Sequence, residues 1–153
     1  MTLPTVLLAE DNPDDVVLVR RAWQRSGIAV SLQVVGDGEA ALRYLRGEGP
    51  YADRAAYPPP DLVLLDWKLP RLMGREVLRT IRAEPRHDDL PVIVLTASRE
   101  DEDVLDAYAA RANSYLQKPV SAGRLTALLG SLGRYWLEHN VRAVGLAAPG
   151  ARG

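Results

Sequence analysis

Four places far apart in the chain carry side chains that suit one kind of chemistry together: the pair Glu10-Asp11, then Asp66, Thr96 and Lys118. Each follows a short strand-like run, at residues 5–9, 62–65, 92–95 and 113–117. Three carboxylates in one cleft repel each other unless a cation sits between them. Hard oxygen donors without cysteine or a nearby histidine suit magnesium or manganese rather than zinc. A lysine and a hydroxyl facing that cation suit an anion with several oxygens, such as a phosphoryl group. On this reading Asp66 is a nucleophile that forms an acyl phosphate. Glu10 and Asp11 hold the metal with Asp66, and the backbone carbonyl of Lys68 is a further ligand. Thr96 donates to a phosphoryl oxygen, Ala97 is small enough to leave room, and Lys118 pairs from the other side. Singly, each residue has a plainer reading as a turn, cap or surface residue. The conjunction at four strand ends carries the argument.

The elements that must position these groups are legible as apolar runs bounded by turn signals. Residues 5–9, 30–35, 62–66, 92–95 and 113–117 read as strands, the first, third and fourth buried on both faces. Asn12-Pro13-Asp14-Asp15 opens a helix, with a capping side chain, Pro at its first position and acids in its first turn. Val16, Val19 and Trp23 face inward and Gly27 ends it. Residues 39–46 form a second helix, with Ala40, Ala41, Tyr44 and Leu45 inward, and residues 75–83 a third. Ser98 is expected to cap a fourth helix whose acids, Glu100 to Asp103, are read as capping and solvated charge. The last helix starts near Ser121, with Leu125, Leu128, Leu129, Leu132 and Trp136 along one face. Residues 47–60 read as a surface loop, with a partner-binding loop as the alternative. Residues 146–153 read as a mobile tail. Five strands alternating with five helices predict a three-layer α/β fold, flavodoxin-like, with a parallel sheet in the order 2-1-3-4-5. Ligands of such sheets bind at the carboxyl ends of the strands.

Composition narrows the classes. With 153 residues, one domain is expected. Nineteen basic and 20 acidic residues leave a net charge of −1, so charge gives no argument for nucleic acid or membrane binding. The absence of cysteine excludes disulfides and thiolate chemistry. The first residues lack the basic and apolar regions of a signal peptide, and no run is long enough to span a membrane, so the expected compartment is the cytoplasm.

Glu10-Asp11, residues 66–74 (DWKLPRLMG), Thr96-Ala97-Ser98 and Lys118-Pro119 together resemble the receiver domain of two-component response regulators. The resemblance spans roughly residues 3–137, and a receiver at residues 3–140 with an extension at 141–153 is expected. It implies phosphoryl transfer from a sensor histidine kinase to Asp66, and a cis Lys118–Pro119 bond. It also implies that Thr96 and Tyr115 turn toward the phosphorylated site, reshaping the face formed by helix four, strand five and helix five. Residues 49–53 (GPYAD), 112–115 (ANSY) and 135–137 (YWL) resemble the stand-alone regulators that partner bacterial phytochromes. That subgroup implies a homodimer, with Tyr135, Trp136, Leu137 and Val141 as interface candidates. No output domain is expected after Val141, hence no DNA binding.

Two departures stand out. Lys68 occupies a position where a neutral polar residue is common, and Arg111 one where the family has Gly. Arg111 must either adopt a left-handed backbone, at a cost of roughly 1 kcal/mol, or end its helix differently. Three other classes remain in view. A haloacid-dehalogenase-type phosphatase wants a second acid where this chain has Lys68. A flavodoxin-like electron carrier wants a Ser/Thr-rich loop where it has Glu10-Asp11-Asn12. A receiver working by contacts alone, without phosphate, has the same residue set.

Overall fold

The structure is a computed structural model that describes residues 2–143. The expected tail at residues 146–153 lies outside them. Five parallel strands, β1 (Thr5–Ala9), β2 (Ser31–Val35), β3 (Leu62–Leu65), β4 (Val92–Thr96) and β5 (Ser114–Gln117), form one sheet in the order β2-β1-β3-β4-β5. Five helices alternate with them: α1 (Pro13–Ser26), α2 (Gly38–Arg46), α3 (Gly74–Ala83), α4 (Asp101–Ala109) and α5 (Ala122–Gly133). Boundaries move by a residue or two from those expected, and the predicted topology holds.

The pleat sorts the strand residues onto two faces. Leu7, Ala9, Val63, Leu65, Val92 and Val94 join a core with α2, α3 and Ala107 of α4. Val6, Leu8, Leu62, Leu64 and Ile93 join a second core with Val19 and Trp23 of α1 and Leu125, Leu129 and Leu132 of α5. Each buried Leu or Val contributes about 1.5–3 kcal/mol relative to exposure. α5 lies close against α1: a Cβ on Gly133 would stand 3.0 Å from Trp23 Cζ3. Beyond Gly133 the helix continues in wider π-helical turns over Arg134–His139, closed by an Asn140 N–H to Tyr135 carbonyl bond of 2.6 Å. Trp136 and Leu137 pack there on the second core, while Tyr135 and Val141 are exposed.

The segment read as a surface loop, residues 47–60, is folded onto the molecule. Tyr51 and Tyr57 meet each other edge-on, and both meet buried Tyr44. The Arg54 guanidinium lies 5.6 Å from the Tyr44 ring and donates to the carbonyls of Tyr44 (2.7 Å) and Leu45 (3.2 Å) at the end of α2. Arg54 therefore satisfies carbonyls that a helix end leaves without partners. Tyr44 in turn donates its hydroxyl to the Pro58 carbonyl at 2.8 Å.

Candidate functional site

The ladder itself brings the strand ends together. The Asp66 N–H donates to the Ala9 carbonyl (3.0 Å), Glu10 N–H to Val35 (3.0 Å), and Lys118 N–H to Thr96 (2.8 Å). Continuing the sheet in register thus sets the residue after β1, the residue after β3, the last of β4 and the residue after β5 along one rim. The Pro70–Met73 loop closes the rim tightly. A Cβ on Gly74 would come 2.7 Å from the Asp66 carbonyl oxygen, so only glycine lets α3 start so close beneath the site. Arg71 stands at φ 65°, and the Leu72 N–H meets the Pro70 carbonyl at 2.7 Å, a sharp turn directly after the proline that stops the strand.

Asp66 is buried, and its two oxygens are held from opposite sides. Thr96 Oγ1 donates to Oδ1 at 2.8 Å, the Lys68 N–H donates to the same oxygen at 3.2 Å, and Lys118 Nζ donates to Oδ2 at 3.2 Å. Carboxylate oxygens of Glu10, Asp11 and Asp66 lie within 4.8 Å of one another. Glu10 and Asp66 are buried and Asp11 is exposed at the mouth. Three hard oxygen donors at this spacing fit a divalent cation such as magnesium or manganese, with an open side left for water or substrate.

Lys118 is the hub of the charges. Its ammonium pairs with Glu10 Oε1, with Asp15 Oδ2 at 2.9 Å and with Asp66 Oδ2. Burial works to lower its pKa, but the bonds from Glu10 and Asp15 outweigh burial and hold it above the ordinary lysine value. Burial pushes the Glu10 carboxyl the other way, up to about 7, with Asp66 adding to the rise and Lys118 opposing it. Both directions follow from packing Glu10, Asp15 and Asp66 around one ammonium in a confined space. Lys118 stays charged, because three acids face it, and burial makes the charge on Glu10 costly.

Every sequence-predicted site residue except Tyr115 and Ala97 is thereby tied to Asp66 or its acids. Ala97 is exposed beside the rim, and Tyr115 is half-buried, its hydroxyl donating to the Ser98 carbonyl at 2.9 Å. Three expectations need correction. The peptide bonds of the described residues are all trans, Lys118–Pro119 included. An X–Pro bond prefers trans by only about 0.5–1 kcal/mol, so a motif alone does not fix the isomer. Ser98 does not cap α4 as an N-cap residue: that place is held by Glu100, and Ser98 Oγ instead donates to Asp103. Asp103 is buried rather than solvated, because it falls four residues before Ala107 on the inward face of α4.

Asp15 was missed. Its signal was present: it is an acid in the first turn of a helix that starts at the rim, on the turn that points back over the strand ends. Arg111 takes the left-handed backbone, φ 70°. The Ala112 N–H still reaches the Ala107 carbonyl at 3.0 Å, closing α4 as a glycine would.

Known proteins resemble this chain in sequence and fold. Residues 6–130 match the family described as response regulator receiver domain. The chain is 39% identical over 135 residues to the probable methanogenesis regulatory protein FilR2 of Methanothrix harundinacea, covering 88% of this chain and 84% of that one. It is 37% identical over 133 residues to response regulator Rcp1 of Synechocystis, covering 87% and 88%. The Mn²⁺-bound form of Rcp1 superposes with a TM-score of 0.79, covering 91% and 98% at 35% identity. The phosphorylated cyanobacterial phytochrome response regulator RcpA superposes with a TM-score of 0.84, covering 92% and 99% at 33% identity.

Proposed function

Because the chain belongs to the response regulator receiver domain family, we propose that Asp66 accepts a phosphoryl group from a sensor histidine kinase. An Asp66 oxygen attacks phosphorus, the bond from phosphorus to the donor histidine nitrogen breaks, and an acyl phosphate results. Lys118 gives up its bond to Asp66 Oδ2 and pairs with the phosphoryl oxygens. Thr96 transfers its hydroxyl bond from Oδ1 to the phosphoryl group. Glu10, Asp11, Asp66 and the carbonyl of Lys68 would hold magnesium, or manganese in its place, which neutralises charge on the transferring group. Ala97 leaves the space beside it open. The observation that carries this reading is the convergence of Thr96 and Lys118 on the two oxygens of Asp66, within reach of Glu10 and Asp11.

The signal leaves through the face built by α4, β5 and α5. Tyr115 on β5 is already tied to Ser98, two residues beyond Thr96, so a shift of Thr96 reaches that face through one strand end. The likeness to RcpA, a cyanobacterial phytochrome response regulator, supports a bacterial phytochrome as the kinase partner, in the cytoplasm. The receiver comprises residues 3–140, and a homodimer forms through Tyr135, Trp136, Leu137 and Val141. Exposed Tyr135 and Val141 supply its contact surface, and Trp136 and Leu137 support them from the core side.

The second reading is a phosphorylation-independent receiver-like interaction module, which works by contacts alone with the same residue set. One experiment separates the two. With acetyl phosphate and magnesium, intact mass gains one phosphoryl group on the native chain and none on Asp66→Asn. An unchanged native mass overturns the phosphorylation reading. Trp67, buried beside Asp66, reports metal by fluorescence, and Asp11→Ala weakens that response.

A further inference from the structure

At the rim opposite Asp66 a cleft of about 430 Å³ opens between the end of α2, the segment before β3, the turn before β4 and the chain beyond α5. Asp61 precedes β3 and Asp66 follows it, so the cleft has no part in the chemistry above. Its size is that of a small-molecule site. Arg46, Arg54, Arg86, Arg142 and His87 line it, and Asp61 is the single acid among the described lining residues.

The guanidiniums are not fully matched by acids. Arg46 Nε and Arg86 Nη2 share one carboxylate, that of Glu84, at 2.9 and 3.1 Å. Arg142 spans Asp89 at 3.1 Å and Asp61 at 3.6 Å. Arg54 meets carbonyls alone among the described residues, so its charge has no carboxylate against it. Four guanidiniums thus face three carboxylates, and the excess lies in a concave site, where a field is focused. Beyond its Nε, Arg46 donates to nothing among the described residues, which leaves its Nη groups for a ligand. His87 senses the same excess. Its Nδ1 is buried with no hydrogen-bond partner among the described residues. Burial first, then the Arg86 charge, holds the ring below the ordinary histidine range, with Glu84 opposing. A guanidinium fork takes a pair of phosphoryl oxygens, so forks carried on separate elements suit an anion with more than one phosphoryl group. Leu45, Pro59 and Pro60 add an apolar wall beside them.

We propose that this cleft binds a diphosphate group through Arg46, Arg54, Arg86 and Arg142. The diphosphate is either free pyrophosphate or part of a nucleotide whose base packs on the apolar wall. The site stands apart from phosphorylation of Asp66 and does not depend on it.

The test titrates pyrophosphate, ADP and inorganic phosphate into the full chain by calorimetry. Chelator is present, so that no metal bridges the anion to Glu10, Asp11 and Asp66. Pyrophosphate is expected to bind at a single site, and inorganic phosphate at least about tenfold more weakly, because it makes fewer charged hydrogen bonds. ADP binding tighter than pyrophosphate assigns the site to a nucleotide, and weaker ADP binding assigns it to the free anion. Arg46→Gln and Arg86→Gln are each expected to weaken pyrophosphate about tenfold, as for loss of a charged hydrogen bond. Arg124→Gln, at an exposed position near the start of α5, leaves binding unchanged. The Arg86 side chain is 58% exposed, so Arg86→Gln decides the matter alone if Arg46→Gln fails to fold. Any of four results overturns the site: no saturable binding, undiminished binding in the Arg46 and Arg86 variants, equal weakening in Arg124→Gln, or phosphate bound as tightly as pyrophosphate.

Discussion

At the scale of single residues, the site is four acids and one ammonium, and burial weighs on the charge of Glu10. A carboxyl raised from 4.5 to about 7 keeps its proton in the folded chain over a range where the unfolded chain has lost it. Its contribution to stability is fully present below pH 4.5 and is lost as pH rises through about 7. In chelator, the melting temperature of the native protein is therefore expected to fall relative to Glu10→Gln between about pH 5 and pH 8. Parallel curves would show that Glu10 carries no such charge cost. Added magnesium restores the native protein at the alkaline end of that range and does less for Glu10→Gln. The meeting of Asp66, Thr96 and Lys118 was legible in the sequence because each ends an apolar strand, and strand ends are what a parallel sheet aligns. Asp15 and Asp103 were not, because both sit in helical first turns rich in acids. In such a turn, position along the helix, not residue type, decides which acid turns inward.

At the scale of elements, the order and type of the five strands and five α-helices could be read from apolar runs and turn residues. What could not be read was how elements are tied at their ends. The α4–β5 connection shows why. Arg111 takes a left-handed backbone that favours glycine, and stays there because Arg82 and Arg111 exchange bonds. Arg82 Nε donates to the Arg111 carbonyl at 3.0 Å, and Arg111 Nη2 to the Arg82 carbonyl at 2.8 Å. Arg82 also reaches the carbonyls of His87 and Leu90 and the side chain of Asn113. No periodic pattern announces such a hub. Arg111→Gly relieves the backbone cost but gives up the returned bond and adds chain entropy in the unfolded state, so a net gain of at most about 1 kcal/mol is expected. Chemical denaturation checks this, and a loss of stability would show that the exchanged bonds outweigh the strain.

At the scale of the whole molecule, chemistry and candidate self-association occupy different regions. The carboxyl rim of the sheet holds the acids, while Tyr135 and Val141 lie beyond the end of α5. None of the described helices is long and apolar enough to cross a membrane. Sedimentation velocity is expected to show a concentration-dependent dimer that Tyr135→Ala with Val141→Asp converts to monomer, with phosphoryl uptake unaffected. A native protein that is monomeric at every concentration removes the dimer. The aromatic cluster around Tyr44 has a consequence of its own. The Arg54–Ala55 bond is a trypsin target by residue type, yet its guanidinium is spent on the end of α2 and lies 5.6 Å from the Tyr44 ring, between the ring-packed Tyr51 and Tyr57 in sequence. Limited digestion should spare that bond while the domain is intact, and Tyr57→Ala should make it an early nick. The insert at residues 47–60 would then behave as a buttress rather than a tether.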